Sequence, residues 1–185
     1  MTGAQALAVG TNGAICSSTD GITWKAATSV PSATPHLYGV VYSLSGKWIA
    51  VGAGGTILTS TDGLTWTSQT SGTTSDLKAI GNNSTYLNSV TTYTYVAVGA
   101  NGTVLTSSDA TAWTAQNANT TASLNAMSSV NQFMVVGSNG TIMTSTDGIT
   151  WTARASNTTA NLTTLLRAEN QYIAVSDTGK IVYSK

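Results

Sequence analysis

Five near-copies of one tetrapeptide constrain this chain more than any other feature. Residues 7–10, 49–52, 96–99, 134–137 and 173–176 read LAVG, IAVG, VAVG, MVVG and IAVS, at spacings of 42, 47, 38 and 39 residues. A repeat of this length is one supersecondary unit that cannot bury its apolar face alone, so neighbouring units must stack and cover one another. Each tetrapeptide runs into a turn: Asn12-Gly13, Gly54-Gly55, Asn101-Gly102, Asn139-Gly140 or Thr178-Gly179. An alternating strand such as Thr56-Ile57-Leu58-Thr59-Ser60 then follows. Asn-Gly between alternating runs marks a hairpin, because both central residues of a type I′ turn take positive φ.

Four units continue into a second motif: Ser18-Thr19-Asp20-Gly21-Ile22-Thr23-Trp24, Ser60-Thr61-Asp62-Gly63-Leu64-Thr65-Trp66, Ser107-Ser108-Asp109-Ala110-Thr111-Ala112-Trp113 and Ser145-Thr146-Asp147-Gly148-Ile149-Thr150-Trp151. The motif resembles the Asp-box, or BNR repeat, carried on the blades of sialidase-type, sortilin-type and photosystem-assembly propellers. The usual box is Ser-x-Asp-x-Gly-x-Thr-Trp, and the version here is one residue shorter between Asp and Trp. In physical terms the aspartate accepts backbone N–H groups inside a tight turn, the glycine supplies positive φ, and the tryptophan packs between sheets. Asp20, Asp62, Asp109 and Asp147 are therefore read as turn residues, and Trp24, Trp66, Trp113 and Trp151 as core.

The remaining strand of the repeat runs through residues 37–43, 77–81, 124–130 and 162–168. With this strand called A and the next three B, C and D, the chain reads BCD, ABCD, ABCD, ABCD, ABC. The expectation is one all-β domain over residues 1–185, a five-bladed β-propeller whose first blade lacks A and whose last lacks D. No segment has helical periodicity. Trp48, Tyr95, Phe133 and Tyr172 recur just before the B strand and read as packing residues, and the lone Cys16 sits where other repeats place Leu58, Leu105, Met143 and Val182.

Charged residues make up only 8% of the chain, seven basic against seven acidic. No basic surface can dominate, which argues against nucleic acid as partner. The start at Met1 lacks a basic n-region and the apolar runs are short, so neither a signal peptide nor a membrane span is expected. A sialidase-type site, which the resemblance raises, would need a cluster of arginines, and the chain has only Arg154 and Arg167. Glycoside hydrolysis needs two carboxylates about 5 to 9.5 Å apart, yet the four motif aspartates belong to separate blades, which leaves Asp76, Asp177 and Glu169. His36, the only histidine, stands at a strand entrance and reads as structural. No spacing calls for a metal or a cofactor.

Departures from the repeat say more about function. The A-to-B link of the third blade grows to residues 82–93 and reads as an elongated loop, with Asn82, Asn83, Tyr86, Asn88 and Tyr93 as candidate partner- or ligand-binding residues. The polar D-to-A loops, residues 28–34, 70–75, 117–121 and 157–161, form a second candidate surface on the opposite face. Two functions compete. One is a non-catalytic structural or attachment protein of a larger assembly, such as a phage virion, a tail or a cell-surface adhesin. The other is a lectin-like module resembling tachylectin-type propellers, and a glycoside hydrolase finds least support. The expected partners are protein subunits or glycans, with self-association or docking into a particle through residues 1–10 or 178–185, where partial blades leave strand edges unpaired.

Overall fold

Apolar residues that alternate along each run leave one face of every strand to be covered, and the strands meet that demand by pairing into antiparallel blades that then stack face to face. The computed structural model describes residues 6–32, 34–169 and 171–184. Blade 1 holds β1 (Ala6–Val9), β2 (Ile15–Ser18) and β3 (Lys25–Ala26). Blade 2 holds β4 (Leu37–Tyr42), β5 (Trp48–Gly52), β6 (Ile57–Ser60) and β7 (Thr67–Gln69). Blade 3 holds β8 (Leu77–Leu87), β9 (Val90–Gly99), β10 (Thr103–Ser107) and β11 (Thr114–Asn117). Blade 4 holds β12 (Leu124–Ser128), β13 (Phe133–Gly137), β14 (Ile142–Ser145) and β15 (Thr152–Arg154). Blade 5 holds β16 (Leu162–Ala168), β17 (Gln171–Ser176) and β18 (Ile181–Tyr183). The five sheets, with three strands in the first and last, follow the order read from the repeat. The part of the expected terminal contact that falls on residues 1–5 and 185 lies outside the described residues.

The B-to-C turns form as their sequence demands. Asn12 and Gly13 take φ of 54° and 69°, and the Ala14 N–H donates to the Thr11 carbonyl at 3.1 Å, which is a type I′ turn. The turns at Gly54, Asn101 and Asn139 repeat this conformation. The fifth differs: Gly179 (φ 78°) is its positive-φ residue, and its N–H donates to the Ser176 carbonyl.

The core is divided among the junctions between blades. Trp66 of blade 2 packs with Ile15, Leu7 and Val9 of blade 1 and with Trp48, Ala50 and Leu58 of its own blade. Trp113 of blade 3 packs against the cluster of Ile49, Val51 and Ile57 with Tyr95, Ala97 and Leu105. Trp151 of blade 4 lies among Val96, Val98 and Val104 with Phe133, Val135 and Met143. Each blade thus turns its tryptophan back onto the blade before it.

That rule corrects the expectation for Trp24. It stands on the side of blade 1 that no described blade covers, and it is 45% exposed where Trp66 is 4% and Trp151 is 8% exposed. Cys16, on the same side, is a free thiol and half-buried for the same reason. Among the described residues the main contacts of the innermost strands run from β1 through β4, β8 and β12 to β16, without a return to β1. The outward side of blade 5 is correspondingly open, with Leu166, Ile181 and Tyr183 exposed.

Candidate functional site

The segment expected as a long loop is not a loop. Residues 82–93 continue the β8–β9 ladder in unbroken register, from Asn82 opposite Tyr95 to Leu87 opposite Val90. Asn88 (φ 51°) and Ser89 (φ 64°) close it as a two-residue turn with both central residues at positive φ. The cause is local: Tyr, Thr and Val favour strand, and polar composition alone does not make a loop. In blade 5 the corresponding ladder extends by one pair beyond Arg167 and Tyr172. Blade 3 extends by five, which carries its tip roughly 13 Å farther than that of blade 5 at about 3.3 Å per residue. The result is a finger standing on the face of the propeller that also carries the C-to-D turns.

Strand alternation sorts the five candidate residues along this finger. Asn82, Tyr86, Tyr93 and Tyr95 share one face, graded from base to tip: Tyr95 and Asn82 are buried, Tyr93 packs on the core cluster, and Tyr86 is 73% exposed. Asn83 spends its Oδ1 on the Ser84 N–H at 2.8 Å. Asn88 occupies the turn and is exposed. Asn82, Asn83 and Tyr93 are therefore supports, and only Tyr86 and Asn88 reach solvent at the tip. The sequence reading missed Leu87 (67% exposed) and Val90 (58% exposed), which face each other across the last pair. Two apolar residues flanking a two-residue turn signal were the available clue.

The four aspartates fold as turn residues. Asp62 accepts the N–H groups of Leu64 and Thr65, each at 2.8 Å, and the Ser60 hydroxyl at 2.9 Å. Asp20, Asp109 and Asp147 repeat the pattern. These donors favour the ionised form. The Thr23 N–H and then that of Ile22 lower Asp20 to about 2, and the Thr65 and Leu64 N–H groups do the same for Asp62. Asp109 is lowered by the Thr111 hydroxyl foremost, and Asp147 by the Thr150 N–H. Ala110 holds the glycine slot of the third motif at φ 65°, with the same hydrogen bonds around it.

The remaining chemistry-bearing side chains are committed to contacts that join neighbouring blades or brace a single one. His36 Nδ1 accepts the Asn12 N–H at 3.2 Å, and Asp76 accepts the Gly54 N–H at 2.9 Å. Asp177 accepts the Asn161 amide at 3.0 Å. Arg154 donates to the Thr144 hydroxyl at 2.9 Å in blade 4, while Arg167 lies over the Tyr172 ring of blade 5, 5.8 Å from its centroid. Among the described residues no three His, Cys, Asp or Glu side chains converge on one point where a metal could sit, and no helix is long and apolar enough to cross a membrane. On the opposite face the D-to-A loops are held by short polar turns, Ser71 and Ser156 accepting from Thr73 and Thr158.

A family model described as the DUF6242 beta propeller domain matches residues 60–185. No curated protein matches the chain by sequence. Among solved structures, YCF48 from Cyanidioschyzon merolae is 20% identical with a TM-score of 0.63, over 97% of this chain and 65% of that one. YCF48 bound to D1 peptide is 18% identical with a TM-score of 0.71, over 98% and 60%. The WD40 beta propeller domain of Doa1 is 12% identical with a TM-score of 0.69, over 98% and 61%. At these identities the likeness is one of fold, a β-propeller, and this chain spans only 60 to 65% of the length of those three.

Proposed function

This chain belongs to the DUF6242 beta propeller domain family, and from that premise we propose that it is a non-catalytic attachment propeller. It acts as a structural part of a larger assembly, of the virion, tail or adhesin kind, and grips a protein partner through the β8–β9 finger. The observation that carries this reading is the tip itself. Tyr86, Leu87 and Val90 hold large apolar surfaces in water on a two-stranded ladder whose base is locked into the core by Tyr95. Exposed apolar side chains on a preorganised support mark a contact surface, because little ordering entropy remains to be lost on binding. The near absence of charge leaves that surface unopposed by electrostatic repulsion. A propeller of similar fold, YCF48, carries a D1 peptide, which supports protein as a class of partner that such a scaffold accepts. The Asp turns support a place beside the Asp-box propellers, and the dispersal of Arg154 and Arg167 over two blades supports a role without catalysis.

Site-specific photo-crosslinking tests the reading. A benzophenone side chain at position 87, in the producing cell, is expected to give a discrete protein adduct. The adduct should fall at least tenfold when Tyr86 and Val90 are changed to serine. A glycan-array signal from the folded chain, with no adduct from the tip, would overturn the reading in favour of a lectin.

A further inference from the structure

Two neighbouring blade junctions carry the same polar pocket, built from the same six places of the repeat. Between blades 1 and 2 a pocket of 340 Å³ is lined by Ser17, Ser18, Thr19, Asp20, Thr23 and Lys25, with Leu64 from blade 2. In blade 2 a pocket of 440 Å³ is lined by Thr59, Ser60, Thr61, Asp62, Thr65 and Thr67, with Gln69 and Lys47. The register fixes the equivalence, since Ser17 lies opposite Lys25 as Thr59 lies opposite Thr67. The second pocket is on the side of blade 3, because Thr59 shares a strand face with Ile57, which packs with Tyr95 and Leu105. Both volumes fall in the range of roughly 300 to 1,000 Å³ that small-molecule sites span, yet their walls are mostly hydroxyls. Recurrence of the hydroxyls follows from the motif, but recurrence of a cation does not. The first pocket takes its ammonium from Lys25 on β3 and the second from Lys47 in the β4–β5 link, two places that are not equivalent. The aspartates match as well: in Asp20 and Asp62 the donors of the turn all go to Oδ1, which leaves Oδ2 as an acceptor for a ligand. The third motif is an internal contrast. There Asp109 gives Oδ2 to the Thr111 hydroxyl at 2.6 Å, and Thr94 and Thr114 stand where Lys47 and Lys25 stand.

We propose that the two pockets are tandem subsites for an acidic saccharide, each holding one sugar unit that bears a carboxylate. The aspartate accepts from adjacent sugar hydroxyls, and the lysine pairs with the ligand's carboxylate. Serine and threonine both donate and accept, as ring hydroxyls do, so they match a polyol at any orientation of its protons. Other ligand classes fit the lining worse. A bare anion meets the aspartate, a cation meets the lysine, and an apolar molecule leaves the hydroxyls without partners. Two subsites on adjacent blades let one repeating or branched glycan engage both, so that weak single contacts combine into avidity. The pockets share no residue with the tip of the β8–β9 finger, and either site can fail without the other.

The test titrates the isotope-labelled full chain with sialyllactose, with trigalacturonate, with lactose and with sodium acetate, and reads amide chemical shifts. Expected are saturable shifts at residues 19–25 and 61–67 with at least one acidic sugar, and an affinity roughly fivefold or more above that for lactose. Which acidic sugar binds tells a terminal sialate from a uronate polymer. Lys47→Gln should remove the shifts at residues 61–67 and keep those at 19–25, and Lys25→Gln should do the reverse. The unsubstituted chain decides the matter by itself if either variant does not fold. Equal affinity for lactose, the same shifts with acetate alone, shifts of equal size at residues 108–114, a response confined to one pocket, or no response at all would each overturn the proposal.

Discussion

The carboxylate of Asp76 accepts the backbone N–H of Gly54 at 2.9 Å, tying the entrance of blade 3 to the turn of blade 2. His36 does the same for Asn12, and Asn161 for Asn139, each at 3.2 Å. Ser123 holds this position in blade 4 and is too short to reach, so its hydroxyl is buried without a partner. Ser123→Asn should restore the tie to the turn at Asn101. The expected gain is about 0.5 to 1 kcal/mol, a rise of roughly 1 to 4 °C in melting temperature for a chain of this size. Calorimetry that finds no gain would mean that water already satisfies this slot.

The glycine that ends the B strand is required by its neighbour and not by its φ. A Cβ on Gly99 would fall on the Asp76 carbonyl oxygen and lie 2.9 Å from Leu77 Cα, while a Cβ on Gly10 would meet, among the described residues, only Ala14 Cβ, at 4.0 Å. Gly99→Ala is expected to lose roughly 1 to 3 kcal/mol by overpacking. Gly10→Ala should stay within about 0.5 kcal/mol of the parent. Urea denaturation of the two variants side by side measures the difference, and equal losses would contradict it.

How much of this was legible in the sequence depends on what repetition encodes. A motif that recurs five times reports the geometry every unit shares, so the blades, the turns at Asn12, Asn101 and Asn139, and the buried places of Trp66 and Trp151 could be read directly. What repetition does not report is a neighbour. Trp24 repeats the motif, yet the blade that would cover it is not among those described, and so its place in the pattern misleads about its burial. The finger was misread for a different reason. Asparagine and threonine suggested a loop, although alternating Tyr and Thr about Asn88-Ser89 encode a ladder and a turn. The apolar cleft between blades 4 and 5 could not be seen at all, since its lining comes from strands of two different repeats.

The same asymmetry gives a prediction for the tryptophans. Trp66→Ala empties a filled junction and should cost about 3 to 5 kcal/mol. Trp24→Ala removes a ring that already meets water on one side, and should cost less than about 1 kcal/mol. Chemical denaturation of both variants checks the ratio. Comparable losses would show that something covers Trp24 in solution.

The depressed aspartates set the response to acid. Asp62 is held at about 2 by N–H groups that donate to its ionised form, whereas an unfolded aspartate titrates near 3.9. A folded pKa below the unfolded one means that the unfolded chain takes up the proton first as pH falls. The carboxylate's contribution is therefore complete above about pH 4, shrinks as pH falls below 4, and is gone below 2. Asp20 titrates over the same window, and Asp109 and Asp147 shift in the same direction. The wild-type chain should lose stability steeply between pH 4 and 2, with little change between pH 5 and 7. In Asp62→Asn combined with Asp147→Asn the amide oxygens still accept from the turn but do not titrate, so the double variant should start less stable at pH 7 and lose less between pH 4 and 2. Urea midpoints at pH 7, 4, 3 and 2 measure both slopes. Parallel slopes would show that these turns do not govern the acid transition.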